Sequence, residues 1–152
     1  MIKKSFSLAF SPCPNDTFIF HALIHNLIEN EFYTFNAHLF DVEELNISSI
    51  NYKYDITKLS LHGYLYSANS YSLLQSGAAL GFGCGPILIT KDHNINISTA
   101  KIAVPGKYTT ANLLLKLWNP EIKFIEYTRF DNIIHGVLNG NYDAGVIIHE
   151  GR

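Results

Sequence analysis

Chemistry-bearing residues in this chain of 152 sit mostly beside predicted strand ends. His149 directly follows the apolar run Ala144–Ile148, where a side chain emerges at the carboxyl end of a strand. A histidine titrates near neutral pH and suits proton abstraction, although the closing His-Glu-Gly-Arg, read alone, is a solvated tail. Gly106-Lys-Tyr-Thr-Thr110 places two adjacent hydroxyls at a predicted helix start, and two readings stand there: ordinary capping, or ligand donors added to the backbone ones. His21 and His25 are spaced i, i+4 as zinc ligands can be. The glutamate of a metalloprotease helix and any completing acidic or cysteine cluster are missing, so they read as surface or partly buried histidines and no metal is expected. Gly81-Phe-Gly-Cys-Gly85 lacks the lysine of a phosphate loop and reads as a turn of positive-φ glycines, with Cys84 structural.

The elements that must position these residues alternate along the chain. Phe6–Phe10 reads as a strand, Ser11–Asn15 as a loop, and Asp16 onward as a helix capped by Asn15 or Asp16, with Ile19, Leu23 and Leu27 at helical spacing. Thr34–Phe40 follows as a strand and Asp41–Ile50 as a short helix. Tyr54–Ser60 opens a second strand–loop–helix unit that continues into the apolar segment Tyr64–Leu74, and Pro86–Thr90 is strand-like. Lys91–Ser98 is polar and rich in asparagine, which suits a linker. Lys101–Val104, Ala111–Trp118, Phe124–Tyr127, Phe130–Leu138 and Ala144–Ile148 then read as strand, helix, strand, helix, strand. Such βαβ units define an α/β protein. The expected division is a first lobe over 1–92 and a partial second lobe over 93–152. Two loops, Ser11–Asn15 and Gly106–Thr110, run from a strand end into a helix start, where free N–H donors attract anions. Placed on two lobes, they predict a small anionic ligand held in a cleft.

Composition narrows the function classes. Hydrophobic residues make up 47% and charged residues 16%, as in a globular chain rather than a disordered one. A net charge of -2 provides no basic footprint, so neither a nucleic-acid partner nor an anionic membrane is expected. Two cysteines, Cys13 and Cys84, are not a disulfide framework. The Lys3-Lys4 start and its serine-interrupted apolar run are too short for a signal peptide, which predicts a cytoplasmic location.

Five segments taken together carry a resemblance: Ser11-Pro-Cys-Pro-Asn-Asp-Thr-Phe18, Thr57-Lys-Leu-Ser60, Gly83-Cys-Gly-Pro86, Val104-Pro-Gly-Lys-Tyr-Thr-Thr-Ala111 and Ala144-Gly-Val-Ile-Ile-His-Glu150. In this order they resemble the 1,4-dihydroxy-6-naphthoate synthases of the futalosine route to menaquinone, from near residue 6 to the last residue. The resemblance implies a two-lobed fold like the type II periplasmic binding proteins, and a cytoplasmic carbon–carbon lyase without metal or organic cofactor. Its substrate would be cyclic dehypoxanthinyl futalosine. His149 matches the family's proton acceptor, Thr109 and Thr110 the substrate-binding pair of the second lobe, and Lys58, Leu59 and Ser60 the first-lobe contacts. Asn15 and Asp16 belong to the signature loop, with a pocket-shaping role.

The family's chain continues well beyond the position of Arg152, so the fold is expected to be incomplete at its C-terminus. Two partners would cover the apolar faces this exposes: a second copy of the chain, or a separate C-terminal polypeptide. A non-catalytic small-anion binding module of the same fold and chorismate dehydratase of the same pathway are the alternative functions. The Ser-Pro-Cys-Pro-Asn-Asp loop and the Ile-His-Glu ending favour the naphthoate synthases over the latter.

Overall fold

A computed structural model describes residues 3–148, which form two compact units divided between Leu80 and Gly81. The first unit is built on strand β1 (Lys4–Phe10), flanked by β2 (Tyr33–Leu39) and the short β3 (Ile56–Thr57) in the order β2-β1-β3. All pairings are parallel, with Leu8 opposite both Ala37 and Ile56. Parallel strands require crossover connections, and helices α1 (Pro14–Ile24) and α2 (Val42–Ile50) supply them. Side chains alternate across a strand, so successive residues of β1 meet different layers. Phe10 packs against Phe20 of α1, with tilted rings whose centroids are 4.7 Å apart. Ala9 packs with Leu45 of α2 and with Tyr54. Helix α3 (Leu61–Ser67) follows β3.

The second unit carries a mixed sheet of order β4-β7-β5-β6: β4 (Ile87–Thr90), β5 (Lys101–Val104), β6 (Phe124–Tyr127) and β7 (Ala144–Ile147). Strand β7 pairs antiparallel with β4 and parallel with β5. Alternation again sorts the core into two layers. Ile102, Val104, Ala144 and Val146 pack with Ala111 and Leu115 of α4 (Thr110–Trp118). Ala103 and Ile147 face Ile133 of α5 (Phe130–Leu138) instead. Gly145 lets α5 close on the sheet, because a Cβ there would drive into the Ile133 side chain.

Strand and helix positions follow the sequence reading closely in the second unit, and the structure differs from that reading at three places. Helix α1 begins at Pro14, not Asp16, with Cys13 at the N-cap and no side-chain cap. Proline is pre-organised for the first helical position and lacks an N–H to satisfy, which frees Asp16 for other partners. The helix predicted over Tyr64–Leu74 is α3, which ends at Ser67. Strand β4 and the polar segment 91–98 belong to the second unit rather than closing the first lobe and linking the two. Ile95 and Ile97 pack on the second core, which a free linker would not do. Of the three glycines in Gly81–Gly85, only Gly83 adopts a positive φ, 64°; Gly77, ahead of that turn, adopts 86°.

Candidate functional site

The carboxyl edge of the first sheet gathers most of the polar side chains singled out by sequence. Because the three strands are parallel, Ser11, Asp41 and Lys58 leave it at the same edge. Lys58 is held there by its backbone N–H, which donates to the Ala9 carbonyl at 2.8 Å. Its ammonium lies 2.7 Å from Asp16 Oδ1. Asp16 Oδ2 accepts from the Ser11 backbone N–H at 3.1 Å and from the Ser11 hydroxyl at 2.8 Å. The carboxylate of Asp16 is buried and the lysine only partly so. Charge-assisted hydrogen bonds of this kind are the stronger ones, and three on one carboxylate make a rigid corner.

Ser60 follows two residues later, at the N-cap of α3. Its backbone N–H donates to Asn46 Oδ1 at 2.9 Å, and its hydroxyl accepts from Asn46 Nδ2 at 3.2 Å. Leu59 is half-buried between Lys58 and Ser60, and Asn15 is exposed on the first turn of α1. Asp41 caps α2 by accepting from Glu43 N–H at 3.0 Å, while its buried Oδ1 has no hydrogen-bond partner.

The second unit presents its own edge of strand ends. Strand β5 leads into a loop that reaches Thr109, the N-cap of α4. The buried Thr109 hydroxyl donates to the Gly106 carbonyl at 2.8 Å and accepts from Asn112 N–H at 3.3 Å. Its proton and an acceptor lone pair are thus engaged inside the protein. Thr110 is half-buried at the first helical position. Asn112, fully buried, ties the loop down by donating from Nδ2 to the Lys107 carbonyl at 2.7 Å, and its Oδ1 lacks a partner. Thr109 therefore caps the helix, and Thr110 is the more accessible of the two hydroxyls.

Strand β7, parallel to β5, ends at this same edge of the second sheet. A cavity of about 130 Å³ lies here, lined by Pro105, Phe130, Ile133, Val146, Ile147 and Ile148. His149 lies outside the described residues, as the residue next in sequence to this apolar lining. A larger concavity of about 440 Å³ sits at the opposite, amino edge of the first sheet, among Lys3, Glu29, Asn30, Glu31 and Tyr33. In open α/β sheets ligands bind beyond the carboxyl ends of strands, and the Lys58–Asp16 pair lies at that edge of the first sheet, so each unit's carboxyl edge is a candidate site.

His21 and His25 are both exposed, with ring centroids 4.5 Å apart. Cys13 is half-buried and Cys84 exposed. Among the described residues no helix is long and apolar enough to cross a membrane. Sequence reasoning did not single out Ser11, Asn46 or Asn112. Each acts through a hydrogen bond to a singled-out residue or its loop, and only Ser11, in the signature loop, carried a signal that could have found it.

The fold is shared with solute-binding proteins. A ligand-binding component of an ABC-type import system from Staphylococcus aureus superposes with a TM-score of 0.66 at 12% identity, over 97% of this chain and 55% of its own. That likeness defines a periplasmic-binding-protein-like fold and nothing more specific. The menaquinone biosynthesis family matches residues 6–152, and the chain belongs to it. It is similar to the 1,4-dihydroxy-6-naphthoate synthase of Thermus thermophilus, 40% identical over 98% of this chain and 54% of the relative. The Streptomyces coelicolor protein of the same name is 33% identical over 100% of this chain and 55% of its own. A crystal structure of an Archaeoglobus fulgidus protein aligns with a TM-score of 0.87 and 38% identity, over 97% of this chain and 55% of that one. The chain thus spans about half the length of the curated relatives it matches.

Proposed function

We propose that this chain carries the substrate-binding edges and the proton acceptor of a carbon–carbon lyase that converts cyclic dehypoxanthinyl futalosine to 1,4-dihydroxy-6-naphthoate. The reaction belongs to the futalosine route to menaquinone, in the cytoplasm and without an organic cofactor. The observation that carries the reading is 40% identity to a synthase of this name across nearly the whole chain.

The chemistry of the two edges supports it. A substrate with a carboxylate and several hydroxyls needs charge and hydrogen-bond donors. Lys58 and Ser60 supply them in the first unit, with Leu59 as an apolar contact. In the second unit Thr110 supplies a hydroxyl, and Thr109 holds the helix start whose N–H groups favour an anion. Asp16 fixes Lys58, and Asn15 shapes the loop beside it. His149 takes a proton next to a carbonyl, after which carbon–carbon cleavage releases the sugar-derived fragment and the ring becomes aromatic. A positioned general base contributes about 10²–10⁴-fold in rate.

Purified chain incubated with cyclic dehypoxanthinyl futalosine, with product followed by chromatography, tests this reading. Formation of 1,4-dihydroxy-6-naphthoate that falls at least about a hundredfold in His149→Ala is the expected result. If the chain alone is silent, the assay is repeated with the downstream polypeptide that the relatives carry. Continued silence in the presence of tight ligand binding would replace the enzyme with a non-catalytic binding module. Dehydration of chorismate instead would place the chain with the other enzyme of the pathway.

A further inference from the structure

One buried amide organises the start of α3. Asn46 lies within α2 with no exposed surface. Its Oδ1 accepts the Ser60 backbone N–H at 2.9 Å. A backbone N–H can only donate, so this contact dictates which end of the amide is the oxygen. The other end must be the NH₂ group, and it donates to Glu43 Oε2 at 3.3 Å and to Ser60 Oγ at 3.2 Å. Toward Asn46, Ser60 Oγ is therefore an acceptor, and its single proton is directed elsewhere. The Ser60 oxygen accepts no capping bond from the N–H groups of α3, so the amide of Asn46 is what orients the hydroxyl. Gly63 leaves room for the arrangement, because a Cβ there would stand 2.7 Å from Asn46 Oδ1.

We propose that Asn46 is a positioning residue for the substrate, setting Ser60 as a hydroxyl donor to an oxygen acceptor of the ligand. The inference rests on the proposed function, which puts Ser60 in contact with substrate. A serine hydroxyl otherwise rotates to suit whichever partner it meets. Engaged by Asn46, it offers a proton and so selects a carboxylate or carbonyl oxygen over a donor group at that point. Asn46→Asp keeps an acceptor for the Ser60 N–H, but its second oxygen draws the Ser60 proton inward and reverses this polarity.

Calorimetric titration of cyclic dehypoxanthinyl futalosine into the unaltered chain, Ser60→Ala, Asn46→Asp and the double variant tests the proposal, with circular dichroism to establish folding. Each single variant is expected to weaken binding by about tenfold to a hundredfold, as loss of a hydrogen bond to a charged group does. The double variant should be no weaker than Ser60→Ala, since Asn46 acts only through that hydroxyl. Gly63→Ala, which displaces the amide without adding charge, serves if Asn46→Asp does not fold; its effect should vanish in the Ser60→Ala background. Ser60→Thr, which keeps the hydroxyl, should keep the dependence on Asn46. Tight binding by a folded Asn46→Asp and by Gly63→Ala would overturn the proposal and leave the proposed function intact. Additive losses in the double variant would do the same. No binding by the unaltered chain, with the downstream polypeptide of the relatives also supplied, would overturn both.

Discussion

The ammonium of Lys58, at the end of β3, lies 2.7 Å from the carboxylate of Asp16, in the first turn of α1. The pair joins two residues 42 apart in sequence, across the carboxyl edge of one sheet. It also sets the local electrostatics, because a lysine presented to an anion is already oriented by a buried counter-charge.

Removing the two partners should not cost the same. Asp16→Ala strands the Lys58 ammonium together with the Ser11 N–H and hydroxyl, and should destabilise the first unit by about 2–4 kcal/mol. Lys58→Met leaves Asp16 with both Ser11 bonds and should cost about half as much, while weakening binding of an anionic ligand. Urea unfolding of the two variants measures the difference. Equal losses would show that the Ser11 bonds contribute nothing.

The adjacent threonines should separate cleanly. Thr109→Ala removes an N-cap and should cost about 1–2 kcal/mol of stability, with Thr109→Ser restoring most of it. Thr110→Ala should change stability by less than about 0.5 kcal/mol and act on ligand affinity instead. Paired melting and titration experiments decide. A Thr110→Ala protein that melts early but binds normally would reverse the assignment.

Acid sensitivity has one defined source beside β3. Asp55 Oδ2 accepts from the Ser7 hydroxyl at 2.6 Å and the Ser7 N–H at 2.8 Å, and these bonds hold its pKa below the ordinary value of 3.8. At pH values between the folded and unfolded pKa the unfolded chain binds more protons, so stability rises with pH there. The contribution is complete above 3.8 and is lost as pH falls through the lower, folded value. Ser7→Ala should flatten this part of the profile, because the hydroxyl is the largest cause of the shift. Denaturant melts at a series of acid pH values read the slope. An unchanged slope would assign it to other carboxylates.

Exposed apolar surface should drive self-association. Leu80 and Phe82 are 80% and 87% exposed, and Leu73 and Leu74 are exposed as well. Large uncovered apolar groups in such number are unusual in a solitary chain and common at interfaces. Light scattering behind size exclusion should give a mass above that of one chain, rising with concentration. A strict monomer with a sharply cooperative melt would contradict this expectation.

Much of the fold was legible along the chain. Lys101–Val104, Phe124–Tyr127 and Phe130–Leu138 have the predicted bounds, because short apolar strands and amphipathic helices write their periods locally. The start of α1 was misplaced, since Asn15 and Asp16 look like capping residues and only a distant lysine shows what Asp16 does instead. The polar segment 91–98 reads as a linker because its isoleucines are sparse, and only the packing shows them partly buried against a core.

The sequence by itself determined the α/β class, the family, and the residue types proposed to meet a small anion, all of which depend on local pattern and ordered motifs. Tertiary structure alone decided which of those side chains are already committed. Lys58 is paired with Asp16, Ser60 is held by Asn46, and Thr109 is spent on its helix, whereas Thr110 stays accessible. The reason is that a hydrogen bond between residues such as Asn46 and Ser60 is set by where strands and helices bring them together, and spacing along the chain carries no record of that.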